Sequence, residues 1–178
     1  LLAIHAKTGL VTFHGPVGLS NWDTFTWKHF RKVTMRNRAY RLRGNDEDTT
    51  DLSIGRYTIR EGQAQGALLG GNLSVLSGMI GSDYLPSFDG SILLIEEVGE
   101  QVYRIDRFLT HLKLSGVLDR VNGLIFGSCA DCPESEAKNK FTLREVLNDH
   151  LANWGKPAFF GTTVGHIAHQ YTLPIGAQ

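Results

Sequence analysis

Hydrophobic positions in this chain fall into short apolar runs, which alternate with longer stretches where apolar residues recur every three or four positions. Runs of the first kind suit strands buried on both faces, and stretches of the second kind suit amphipathic helices. "LLAIHAKTG" opens the chain as an amphipathic helix with no capping residue before it, as if joined in mid-element, and Thr8 with Gly9 reads as its end. "LVTFHG", Leu10 to Gly15, predicts a short buried strand running into a Gly-Pro turn, and a helix is predicted from Asn21 to about Lys32. After Gly62 the alternation becomes regular. "GALLGGNLSVLSGMIG" predicts a strand, a glycine turn and a helix with Leu73, Leu76 and Ile80 on one face. The strand Ile92 to Ile95 precedes a helix from about Glu100 to Leu114 that turns Val102, Ile105, Leu109 and Leu112 inward. "VNGLIFGSC" predicts another buried strand, and "FTLREVLNDHLANWG" a helix capped by Thr142 and stopped at Gly155. "PAFFGTTVGH" supplies a strand leading into a glycine loop, and the chain stops at "TLPIGAQ", where a further strand would follow. Strands alternating with helices imply right-handed crossovers and a largely parallel sheet, an α/β layout.

In such a sheet ligands bind at the carboxyl ends of the strands, where loops and helix N-termini converge. Three glutamates stand there, Glu96, Glu97 and Glu100, and so does His166, a few residues past the strand that starts at Pro157. Glu97 and Glu100 are explained by the positive N-terminus of the helix that follows them. Glu96 directly follows four apolar residues, where an unpaired carboxylate is costly, so it calls for a partner. A histidine from another strand end fits, because a carboxylate orienting an imidazole is half of a nucleophilic triad.

Composition narrows the field further. With 178 residues, 42% of them hydrophobic, the chain can bury a real core as one large domain or two small ones. Eighteen basic residues balance eighteen acidic ones, so no net field draws it to nucleic acid or an anionic membrane, and a small substrate is expected. No apolar run of about 20 residues is present to cross a membrane, which together with the absence of a signal peptide points to the cytoplasm. The basic stretch from Arg31 to Arg43, followed by the acidic "NDEDTTD", reads as a phosphate-binding arm or as a solvated linker with compensating charges; lacking interleaved aromatics other than Tyr40, it favours the linker. Cys129 and Cys132 are too few for a disulfide scaffold and fit a reducing compartment, although their spacing also suits a redox pair or half a zinc site, with His166 and His169 as conceivable co-ligands. No metal is expected. "GSD" at 81–83 imitates a nucleophile turn but follows a helix, and neither Ser74 nor Ser128 has a better context. His14, in "FHGP", reads as a core histidine or as one that orients the site.

The run from "GGNLS" at 70–74 through "YLP" at 84–86, "ILLIEEVGE" and "YRIDR", to "GH" followed by "LPIGAQ", resembles the LD-carboxypeptidases, serine peptidases also called muramoyltetrapeptide carboxypeptidases. "AKTGLVTFHGP" resembles the segment just after this family's nucleophile, so the resemblance spans nearly the whole chain. It implies the end of a flavodoxin-like nucleophile domain at residues 1–20, a linker or crossover at 21–62, and a C-terminal α/β domain from residue 63 onward. It also implies a Ser-His-Glu triad with Glu96 and His166 as its acid and base. The serine, in a Gly-x-Ser-Asp elbow, would precede Leu1, leaving the isolated chain without a nucleophile. The substrate implied is a murein tetrapeptide in peptidoglycan recycling, cut before its terminal D-alanine by a cytoplasmic homodimer without a cofactor. A substrate carboxylate calls for a cation, for which Arg107 or Arg104 is available if not engaged with Asp106 or Glu100. Asn72 would bind substrate or cap the helix at Leu73. The microcin C immunity peptidase shares this triad and differs in its substrate loop. A non-enzymatic zinc or redox module built on the cysteines, and a binding-only pseudo-enzyme, are the readings from other classes.

Overall fold

The computed structural model describes residues 1–36, 55–133 and 141–177. In chain order its elements are α1 (Leu2–Thr8), β1 (Thr12–His14), α2 (Thr24–Thr34), β2 (Tyr57–Arg60), β3 (Leu68–Asn72), α3 (Leu73–Met79), β4 (Ile92–Val98), α4 (Val102–Leu114), α5 (Val117–Arg120), β5 (Gly123–Ala130), α6 (Leu143–Leu151), β6 (Ala158–Phe160) and β7 (Leu173–Ile175). The central sheet has the order β2-β6-β5-β4-β3, with β3 to β6 parallel and β2 closing one edge antiparallel to β6. The architecture is therefore mixed α/β with a mostly parallel sheet. Each parallel strand neighbours the next in sequence, so right-handed crossovers put α3, α4 and α6 on the same face, where α4 packs between the other two.

The apolar run in β4 follows from this burial. Leu93, Leu94 and Ile95 are fully buried although alternate side chains leave a strand on opposite faces, because both faces of β4 are covered. On α4, Val102, Ile105, Leu109 and Leu112 are the buried residues, as their spacing predicts. Burying each stabilises the fold by about 1.5–3 kcal/mol relative to leaving it exposed. Thr142 caps α6 in a reciprocal box: its hydroxyl accepts from the Glu145 N–H while the Glu145 carboxylate accepts from the Thr142 N–H.

Several expectations need correction. Leu10 and Val11 are exposed and β1 is only half-buried, because this strand belongs to a separate two-stranded ribbon with β7. The end of the chain is itself a strand, not the approach to one: β7 pairs antiparallel with β1, and Gly176 and Ala177 then bond the backbone of Leu68 at the edge of β3. Gly70 and Gly71 lie within β3 and form no turn, since a side chain at Gly70 would run into the Leu94 backbone of the adjacent strand. The helix α6 ends at Leu151 and not at Gly155, and α2 starts three residues after Asn21, where Asp23 provides the cap. The basic-to-acidic segment from residue 37 onward lies outside the described residues.

Candidate active site

Adjacent glutamates at the end of β4 leave the strand on opposite faces, and the structure uses each differently. The Glu96 carboxylate is completely buried, with Oε2 3.0 Å from Nδ1 of His166. A carboxylate only accepts, so Nδ1 is the donor, and in the neutral imidazole Nε2 then holds the lone pair. The His166 side chain is 57% exposed, so a buried acid holds a ring that faces solvent. Oε1 of Glu96 is buried without a hydrogen-bond partner among the described residues.

The loop carrying His166 is fastened at many points. Ser128 donates to the Val164 carbonyl twice, from its N–H at 2.8 Å and its hydroxyl at 2.9 Å. Arg56 donates from Nε to the Gly161 carbonyl at 2.8 Å and from a terminal nitrogen to the Thr163 hydroxyl at 2.9 Å. Tyr171 N–H closes onto the Thr163 carbonyl at 2.9 Å. Gly165 adopts φ 121°, and a Cβ there would collide with the Ser128 hydroxyl and come within 2.8 Å of Glu96 Oε2. Only glycine allows the loop this close to the acid. Opposite Glu96 the β4–β5 ladder slips by one residue, passing from Ile95 beside Phe126 to Glu97 beside Cys129. This bulge re-aims the strand end at the site, and at Gly127 it brings the backbone so close to Val164 that a Cβ would lie 2.5 Å from the Val164 carbonyl oxygen.

His14 joins the cluster from β1. Its Nδ1 lies 3.8 Å from the position a Cβ would take on Gly71, the residue before the register partner of Glu96. Burial pushes the His14 imidazole below its ordinary value; the Glu96 charge opposes that shift, while His166 reinforces it. A second histidine–acid pair anchors the far side of the loop, where His169 Nδ1 contacts Asp23, the cap of α2. Partial burial pushes the Asp23 carboxyl up, but hydrogen bonds from Thr26 and His169 outweigh it and hold the group below its ordinary value.

Glu97 requires a correction. It does not serve the N-terminus of α4; its carboxylate accepts from Ser74 N–H at 2.8 Å, Asn72 Nδ2 at 2.8 Å and its own neighbour Val98 N–H at 2.9 Å, and so anchors the N-terminus of α3. Asn72 caps that same helix, its Oδ1 accepting from Val75 N–H and the Ser74 hydroxyl. Glu100 does precede α4 and pairs with Arg104 at 3.2 Å. Arg107 is exposed, its guanidinium over the Phe108 ring, and no hydrogen bond or ion pair among the described residues joins it to Glu96 or His166. Asp106 is taken by His150 at 2.7 Å. Ser82 of the elbow-like "GSD" follows α3 and donates to the Met79 carbonyl. Cys129 and Cys132 are bonded to each other, a single local bridge, and no metal-holding cluster among the described residues joins them to a histidine. No cluster of three or more ligating side chains that could hold a metal occurs among the described residues, and none of their helices is long and apolar enough to cross a membrane.

Arg56 and the Asp23–His169 pair escaped the sequence reading, since nothing local marks contacts made across 105 and 146 positions. A cavity of about 800 Å³ opens at the opposite ends of the strands, between β2, β6 and the starts of β4 and β5, and neither Glu96 nor His166 lines it.

Comparison with known proteins identifies relatives of this chain. The sequence profile of the LD-carboxypeptidase C-terminal domain matches residues 65–178. The chain is 32% identical to a probable murein peptide carboxypeptidase of Bacillus subtilis (strain 168), over 99% of this chain and 54% of the relative. It is 31% identical to the microcin C7 self-immunity protein MccF of Escherichia coli, over 100% of this chain and 58% of the relative. Among solved structures, MccF in the wild-type apo state superposes with TM-score 0.82 at 28% identity, covering 99% of this chain and 59% of that one. A muramoyltetrapeptide carboxypeptidase from Oxalobacter formigenes superposes with TM-score 0.76 at 26% identity, covering 98% and 58%. The chain thus spans little more than half the length of the relatives it matches.

Proposed function

Because this chain belongs to the LD-carboxypeptidase family, we propose that it carries the acid and base of a serine peptidase triad, with Glu96 orienting His166 and His166 acting as general base. The observation behind this reading is the pair itself: a fully buried carboxylate hydrogen-bonded to one nitrogen of a histidine whose ring is open to solvent. Proton abstraction requires the second nitrogen to be free and facing a hydroxyl, and the Nδ1 tautomer leaves Nε2 in that state.

We assign the nucleophile to a serine preceding Leu1, in a Gly-x-Ser-Asp elbow. Helix α1 packs against β1, which carries His14, and against β3, the strand beside the acid, so a residue just upstream of Leu1 would lie on the same side of the sheet. His166 would take the serine proton, the serine oxygen would attack the peptide carbonyl, and water would hydrolyse the acyl-enzyme after the D-alanine leaves with the proton returned by His166. On this assignment the acid and base would not turn over substrate without that serine. The substrate class we propose is a murein tetrapeptide, met in the cytoplasm by a homodimer during peptidoglycan recycling, with Arg107 as cation for the terminal carboxylate. Asn72 remains a second substrate contact, through the N–H of its amide not given to Glu97.

The higher structural similarity to MccF supports a second reading, a peptidase for aminoacyl-nucleotide conjugates using the same pair. The test is to incubate the full-length parent with murein tetrapeptide and, separately, with an aminoacyl sulfamoyl nucleoside. Release of D-alanine supports the first reading, and cleavage of the conjugate alone the second. Turnover of either that survives Glu96→Gln and His166→Ala unchanged overturns both.

A further inference from the structure

One chemically reactive group near the site has no part in the triad: the sulfur pair Cys129–Cys132. Cys129 is the penultimate residue of the strand that flanks the acid, with Glu97 as its register partner just past the bulge opposite Glu96. The residue before it, Ser128, is the clasp whose N–H and hydroxyl both hold the Val164 carbonyl, two residues from His166. The residue after it, Ala130, accepts from Gly99 N–H at 2.9 Å, tying the ring to the turn that follows the glutamates. Asp131, inside the ring, adopts φ 49°, a left-handed conformation uncommon outside glycine that needs surrounding structure to hold it. Cys129 is buried at 8% exposure whereas Cys132 is half-buried, so an external thiolate reaches the pair through Cys132.

We propose that Cys129 and Cys132 form a reversible dithiol–disulfide couple whose state sets how tightly Ser128 clasps the loop that carries His166. In reduction, a thiolate of an external dithiol attacks Sγ of Cys132, the bond to Cys129 breaks, and Cys129 leaves as a thiolate. The second thiol of the reductant then resolves the mixed disulfide and frees Cys132; the protein gains two electrons and two protons while the reductant closes to its own disulfide. With the ring open, the end of β5 loses the constraint that holds the turn at Asp131, and the Ser128–Val164 contacts loosen with it. Glu96 keeps its place in the strand, so the change falls on the histidine side of the pair. The effect on turnover rests on the triad reading above; the redox couple and the opening of the loop do not.

The test uses the full-length protein equilibrated in mixtures of oxidised and reduced dithiothreitol, with alkylation and mass spectrometry to count free thiols. Peptide-resolved hydrogen exchange over residues 124–130 and 162–172 is followed in both states. We expect a single two-electron transition, and exchange of the Ser128 and Tyr171 amides roughly tenfold faster once the pair is reduced. The double variant Cys129→Ala, Cys132→Ala should match the reduced protein in any buffer; if it fails to fold, the redox cycle on the native protein decides alone. A pair that stays bonded in excess dithiol under native conditions, thiols that stay free in the oxidised buffer, or exchange that is indifferent to redox state would each overturn the proposal. A protein that shows both changes but cleaves no murein peptide would fault the triad reading and leave the couple intact.

Discussion

Two carboxylates stand next to each other on β4, both withdrawn from water, and the two faces of the sheet put them to different uses. On the helix-covered face Glu97 receives three hydrogen bonds and ties β4 to the start of α3. On the other face Glu96 has one, from an exposed histidine, and an oxygen with no partner among the described residues. A buried charge whose acceptors are filled by backbone and capping groups is an anchor, and its loss is felt as stability. A buried charge matched only by a titratable, solvent-facing ring leaves its chemistry available. The difference arises from one residue of strand alternation, sharpened by the bulge in β5 beside it.

The sharpest break of this comparison is to neutralise each glutamate in the full-length parent. Glu96→Gln or His166→Ala is expected to lower kcat by roughly 10⁴, with an unchanged circular dichroism spectrum and melting temperature. Near-native turnover in either variant would remove Glu96 and His166 from the mechanism. Glu97→Gln should behave oppositely, with a stability loss of about 1–3 kcal/mol in denaturant titrations because an amide nitrogen then faces N–H donors. A Glu97 variant as stable as wild type but catalytically dead would reverse the assignment of the two faces.

His14 gives a smaller, pH-dependent effect on the same face. Burial lowers its folded value below the ordinary 6.5, so the unfolded chain binds the extra proton first. Its contribution to stability is complete above that ordinary value and is lost as pH falls through the folded one. Denaturation midpoints measured across this window should decline on acidification, and His14→Gln should flatten the decline; an unchanged slope would show that the ring titrates as if unfolded. The smallest effect belongs to the exposed Glu100–Arg104 pair beside the anchor, where Arg104→Ala should change stability by no more than about 0.5 kcal/mol.

Much of the helix-bearing half of the fold was legible in the chain. The spacing of Val102, Ile105, Leu109 and Leu112 predicts the buried stripe of α4, and the Thr142 cap predicts the start of α6, because both depend on residues a turn or two apart. The ribbon of β1 and β7 was missed because each strand has only three residues and its partner lies at the other end of the chain. For the same reason Gly70 and Gly71 looked like a turn: the requirement for glycine comes from the neighbouring strand and not from local conformation. At the site, Glu96 stood out because four apolar residues lead straight into it, whereas nothing local revealed Arg56 or Ser128 as holders of the His166 loop.

By itself, then, the sequence determined where the longer helices and the buried central strands lie, and that an acid would end β4 inside a core, since these follow from periodicity and from the cost of burying charge. Tertiary structure alone decided that Glu97 anchors α3 and not α4, and which groups hold the loop whose histidine meets Glu96 across 70 positions. That choice depends on strand register, a bulge and the path of a distant loop, and such contacts are defined only once the elements have packed.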